Sequence, residues 1–125
     1  MSRSAQTSKG FTLTEVVAAL IILSVGLLAI AAMQMTSTKG GYFSGNMTQA
    51  TILAQDKLEN LKNLSYGDSR LAGGQHEEGV MPGTVFLRRY HIVEDAGNSI
   101  KTITVTVQWV DRGNHSISFA TIRSK

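Results

Sequence analysis

From Val16 to Met33 the chain runs for 18 residues without a charged side chain, and its apolar character continues to Met35. An α-helix rises about 1.5 Å per residue, so Phe11 to Met35 would extend roughly 37 Å, enough to cross a hydrocarbon layer about 30 Å thick. A helix is also one of the few structures that satisfies its own backbone polar groups in lipid. The segment is therefore a candidate membrane span, and only about ninety of the 125 residues follow it, enough for one modest soluble core.

Charge orients this candidate. Residues 1–9, MSRSAQTSK, are polar, rich in Ser and carry only positive charge; Arg3 and Lys9 precede the span and only Lys39 follows it closely. The positive-inside bias then places the N-terminus in the cytoplasm and exports the C-terminal part. Two of the 12 Lys and Arg lie before Phe11, so from Phe11 onward 10 basic side chains face 9 acidic ones, a balance of +1. That removes the electrostatic footing for a nucleic-acid partner. The cysteine count of zero excludes disulfides, thiolate zinc sites, iron–sulfur clusters, cysteine nucleophiles and lipoprotein acylation.

Beyond the span, residues 36–46 (TSTKGGYFSGN) hold three glycines, each costing about 1 kcal/mol relative to Ala inside a helix, so a weakened helical stretch or hinge is expected there. Met47, Ala50, Ala54, Leu58 and Leu61 then recur at steps of three and four up to Leu64, which predicts an amphipathic helix. Gly67 is expected to end it in the left-handed conformation. Residues 67–83 read as a long polar surface loop with room for one irregular strand. Three strands follow, over Val85–Val93, Ile100–Val110 and His115–Ile122, divided by turn signals at Asp95-Ala96-Gly97-Asn98 and Asp111-Arg112-Gly113-Asn114. Ile103, Val105, Val107 and Trp109 alternate with Thr102, Thr104, Thr106 and Gln108, giving one buried and one wet face. An antiparallel meander covered by the 47–64 helix is the simplest α+β solution.

The chemistry-bearing segment is Lys9-Gly10-Phe11-Thr12-Leu13-Thr14-Glu15, directly before the apolar run. A carboxylate at the edge of a span costs a few kcal/mol to insert and so asks for a partner. Thr12-Leu13-Thr14-Glu15 has the capping-box pattern, in which Thr12 caps the helix and Glu15 reaches back. Among the other candidates, His76, His91 and His115 lack metal-ligand spacing, Glu77-Glu78 reads as a solvated turn, and Arg88-Arg89 point to opposite sides of a strand so that at most one joins a surface patch. Tyr42 and Phe43 suit an aromatic belt at a membrane surface.

Lys9 to Glu15 and the apolar run resemble the class III signal of type IV prepilins and pseudopilins. The resemblance implies a pilin-like fold: a long N-terminal helix, transmembrane in its first half and packed on a small antiparallel sheet in its second. It divides the chain into a 1–10 leader, an 11–35 filament-core helix, a 36–66 continuation and a 67–125 sheet region. It further implies cleavage between Gly10 and Phe11 by a prepilin peptidase, N-methylation of the Phe11 amine, and a filament-registration charge at Glu15. The implied partners are other pilins, the processing enzyme, an inner-membrane assembly platform and membrane lipid; no enzymatic activity and no cofactor are implied. The location expected is the inner membrane, then a pilus or pseudopilus. Ala32 stands where major pilins generally carry a proline, and the C-terminal disulfide loop common in them is impossible. With Ala19–Leu28 and Thr104–Trp109, these departures resemble a minor pilin of the pilus-modification kind, with the I-type minor pseudopilin of type II secretion systems as the other candidate.

Two rival readings make different termini. Ala29-Ile30-Ala31 resembles a signal-peptidase site, which would leave a chain starting at Ala32, whereas a permanently anchored periplasmic binding module would still start at Met1. N-terminal sequencing and mass spectrometry of the protein from its native membrane are expected to show a chain beginning at methylated Phe11; either of the other termini contradicts the processing reading.

Overall fold

A computed structural model describes residues 10–125; residues 1–9, on which most of the expected 1–10 leader falls, lie outside the described residues. The element order is α1 (Leu13–Lys62), a 3-10 turn (Ser69–Leu71), β1 (Gly74–Val80), β2 (Leu87–Asp95), β3 (Ile100–Val110) and β4 (Asn114–Ser124). The architecture is α+β, with one long helix and one antiparallel sheet in the order β1-β2-β3-β4. The chain divides into two compact units at Gly40 and Gly41.

The first unit holds the apolar part of α1, and among the described residues Leu20, Ile21, Leu27 and Leu28 are all more than half exposed. Three of its hydroxyls are satisfied within the helix. Ser24 Oγ donates to the Leu20 carbonyl at 2.7 Å, and Thr36 and Thr38 return to the carbonyls four residues back at 3.1 and 2.9 Å. The glycine stretch expected to weaken the helix is helical throughout. Gly40, Gly41 and Gly45 each have open space where a Cβ would stand.

In the second unit, residues 41–62 of α1 supply Ala50, Ala54 and Leu61 to a core completed by Leu71, Phe86, Tyr90, Ile92, Ile103, Val105, Val107 and Trp109. Two alanines at i and i+4 let the helix backbone approach the sheet closely. Met47, expected on the buried stripe, is instead 44 % exposed, and Leu58 is half-buried. The strict alternation of β3 is reproduced, with every second residue from Lys101 to Trp109 buried. On the opposite face Thr106 Oγ1 meets Ser118 Oγ of β4 at 2.8 Å, across a paired position.

Several sequence expectations are corrected. The helix ends at Lys62, and Leu64 N–H donates to the Leu61 carbonyl at 3.3 Å in a tightened last turn. Gly67 is not left-handed; positive φ falls on Gly74, Gly79 and Gly83 among the glycines. The sheet has four strands, because residues 74–80 of the expected loop pair with β2. A tight Met81-Pro82-Gly83-Thr84 turn makes this hairpin: Thr84 N–H donates to the Met81 carbonyl at 3.1 Å, and Gly83 takes φ 72°, as a type II turn requires after proline. Periodicity could not reveal β1, since its register slips between Glu77 and Gly79.

Glu77 and Glu78 are therefore strand residues, not a solvated turn. Glu78 sits at the register slip, where its carboxylate pairs with both Lys57 and Arg88 Nε, the latter at 2.6 Å. Arg88 also donates to the Leu53 carbonyl of α1 at 3.2 Å. It is buried, so it is a helix-to-sheet fastener and not part of a surface patch. Lys101 performs the corresponding task for the helix-to-β1 connection. Its buried ammonium donates to the Tyr66 and Leu71 carbonyls at 3.1 and 2.9 Å, pairs with Glu94 at 2.9 Å and lies 4.7 Å from the Tyr66 ring centroid. A buried charge is tolerated only with such full compensation.

Acid should loosen this arrangement. The hydrogen bond from Lys101, and then its charge, hold the Glu94 carboxyl below its ordinary value of 4.5; Arg70 does the same for Asp68. A carboxylate whose folded value is depressed contributes stability above its unfolded value and loses it as pH falls through the folded value. Thermal melts of the full chain in detergent are expected to fall as pH drops below about 4.5, with a shallower fall for Glu94→Gln. Truncation of Ile103 to Ala should cost about 2–5 kcal/mol, read as a lowered denaturant midpoint.

Candidate functional site

The start of α1 is built by Thr12 and Glu15. Thr12 Oγ1 accepts from the Glu15 N–H at 3.2 Å, while Glu15 Oε2 accepts from the Thr12 N–H at 3.0 Å. This is the reciprocal capping box, which satisfies two of the donors that a helix N-terminus leaves free. The Val16 N–H donates to the Thr12 carbonyl at 3.2 Å and begins the helical ladder. A carboxylate in the first turn also suits the helix dipole. The cap uses one carboxylate oxygen, Oε2. Among the described residues Oε1 makes no hydrogen bond, so capping and pairing with another chain are compatible.

Gly10 and Phe11 precede the helix. Phe11 is 90 % exposed, and a Cβ built on Gly10 would meet nothing within 4 Å. The fold of the chain thus places no demand for glycine at residue 10. Phe11, Glu15, Val16, Ala19, Leu20 and Leu23 line one open apolar groove on the helix surface. Among the described residues Glu15 is the single ionisable side chain in that lining.

The histidines have other surroundings. The His76 ring stacks on Tyr90 with centroids 4.6 Å apart and its Nε2 lies 2.8 Å from the Ala72 carbonyl. His115 stacks against Trp109 at 5.5 Å, meets the edge of Phe43 at 5.2 Å and places Nε2 3.1 Å from the Asp111 carbonyl. Since a carbonyl only accepts, both Nε2 atoms carry the proton. His91 is exposed on β2. Among the described residues no group of three or more His, Cys, Asp or Glu is arranged to hold a metal ion. Phe43 packs on His115 within the second unit, a contact that the belt reading of Tyr42 and Phe43 did not foresee.

Sequence reasoning missed the Glu78 and Lys101 networks as fasteners. Lys101 was discoverable, because it shares the parity of Ile103, Val105 and Val107 and so had to point inward. Glu78 was hidden by the slip in β1.

Residues 6–31 match the family model described as the prokaryotic N-terminal methylation motif. Comparison with curated proteins and with solved structures gives no match. The motif spans Gly10, Phe11 and Glu15 and supports a type IV pilin-like protein: a pilin- or pseudopilin-type subunit, processed by prepilin peptidase, assembled with other pilins and anchored by its apolar helix.

Two substitutions separate folding from processing. Gly10→Leu is expected to leave the thermal midpoint of the full chain unchanged while abolishing the mass shift of leader removal. Thr12→Ala should cost about 1 kcal/mol through loss of the cap, seen as faster amide exchange in the first turn of α1.

Proposed function

We propose that this chain is a minor type IV pilin of the PilV kind, cut after Gly10, N-methylated at Phe11 and incorporated into a pilus to assist its assembly or modify it. The match over residues 6–31 supports the processed-subunit part of this reading, together with an apolar helix that is exposed among the described residues; the PilV kind rests on the sequence resemblance of Ala19–Leu28 and Thr104–Trp109. In this scheme Gly10 donates the scissile bond, Phe11 supplies the new cationic amine, and Glu15 is the registration charge.

The physical cycle is short. Before cleavage, α1 lies in the bilayer and the capping box shelters the Glu15 carboxylate. Cleavage creates an amine about one helical turn from that carboxylate. An offset neighbour then presents its amine to the free Glu15 oxygen, and a paired charge in low dielectric costs far less than two isolated ones. The groove around Glu15 supplies apolar surface for the neighbour's helix. Contacts of this head-to-tail type propagate into a filament. No catalytic step by this chain is involved.

Glu15→Gln tests the role of the charge, because glutamine retains an oxygen able to accept the Thr12 N–H. Normal leader removal with at least a tenfold loss of the subunit from sheared filaments is the expected result. Undiminished incorporation would assign Glu15 to capping alone. Recovery of the mature chain with a secretion apparatus, and not with pili, would favour the I-type minor pseudopilin.

A further inference from the structure

The two edges of the sheet differ in how they meet solvent. β1 is seven residues long, slips register between Glu77 and Gly79, bends through positive φ at Gly74 and Gly79, and carries adjacent acidic side chains. Shortness, irregularity and charge are the means by which proteins close an edge to further strands. β4 is neither short nor irregular, and its one formally charged side chain is Arg123. It runs eleven residues in unbroken register with β3, from Asn114 opposite Val110 to Ser124 opposite Ile100. It contains no Pro, Gly, Lys or acidic residue. Among the described residues its other side pairs with nothing.

From this asymmetry we propose that the free edge of β4 is a pairing surface for a second copy of this chain, antiparallel, with Phe119 on the two-fold axis. Phe119 is the midpoint of β4, so this register pairs all eleven residues with their counterparts. It also preserves faces. Residues on the helix side, such as Ile117 and Phe119, are half-buried, and those opposite are exposed. Cross-strand partners in this register share parity and therefore a face.

Polar complementarity selects a like copy over an arbitrary strand. Arg123 Nε is buried without a hydrogen-bond partner. In the symmetric register Arg123 lies opposite His115 of the other copy. The His115 Nε2 proton is committed to the Asp111 carbonyl, which leaves Nδ1 as an acceptor. A guanidinium thus meets an acceptor at each end of the paired strands. The contact is isologous and closes at two copies, so it is separate from filament propagation and does not depend on leader removal.

The absence of cysteine makes the register measurable. Ser118 and Ala120 face one another across the proposed pair, so the full chain bearing Ser118→Cys and Ala120→Cys, held in detergent micelles, should oxidise to disulfide-linked dimers. Ser116 and Ile122 are also opposed, on the exposed face. Adding Ser116→Lys with Ile122→Lys places like charges opposite each other twice, whereas Ser116→Lys with Ile122→Glu places opposite charges there. Crosslinking is expected to be about tenfold lower for the Lys/Lys chain than for the Lys/Glu chain, with equal thermal midpoints showing that both are folded. Crosslinked yields indifferent to these charges, or a double-cysteine chain that stays monomeric, would overturn the proposal.

Discussion

An apolar helical surface that its own chain leaves bare is the constraint on which the rest turns. Within the first unit, Leu20, Ile21, Leu27 and Leu28 are all more than half exposed among the described residues. Lipid tails and the helices of other subunits are the two environments that accept such a surface without cost. A protein that moves from one to the other needs a device to set position along the rod, since dispersion between oily helices is nearly indifferent to sliding. In the function proposed above, the Glu15 carboxylate at the rod's end is that device. The capping box explains how that carboxylate is carried before its final partner arrives.

The second unit solves a different problem. About eighty residues form a core with few large side chains, and polar fasteners complete what apolar burial begins. Arg88 ties the sheet to the Leu53 carbonyl of the helix, and Glu78 ties Arg88 to Lys57. Lys101 ties the sheet to the connection after the helix through two carbonyls. Arg88 and Lys101 are both cations that reach backbone oxygens of another element. Their directionality fixes the helix on the sheet in a way that alanines at the contact cannot.

Much of this was legible in the sequence, and what was not has physical causes. The span, the capping box, β3 and both later turns follow from local pattern: run length, an S/T-x-x-E spacing, strict alternation and Asp-Gly chemistry. Asp95 does accept the Gly97 N–H at 3.1 Å, as its turn signal implied. The first strand was foreseen only as room for one irregular strand within the 67–83 loop, because a register slip breaks the period of two and Gly74 and Gly79 look like loop residues. The Gly67 stop failed since the last turn closed before reaching it, through a hydrogen bond from Leu64 to the carbonyl three residues back. The glycines at 40, 41 and 45 lowered the propensity of the helix without breaking it. For the candidate site, the residue types and their order were plain, whereas the two-way cap and the fold-neutrality of Gly10 required coordinates.

The hydroxyls returned to the helix ladder by Ser24, Thr36 and Thr38 bear on how such a rod could be withdrawn from a bilayer. A hydroxyl proton already donated to a carbonyl on its own helix forms no lasting tie to a headgroup, a water or an adjacent protein. These side chains look polar on paper but offer little friction, so the rod can slide past changing surroundings with almost the same internal bonding throughout. Sequence hydropathy counts them as interruptions; mechanically they are part of a smooth shaft.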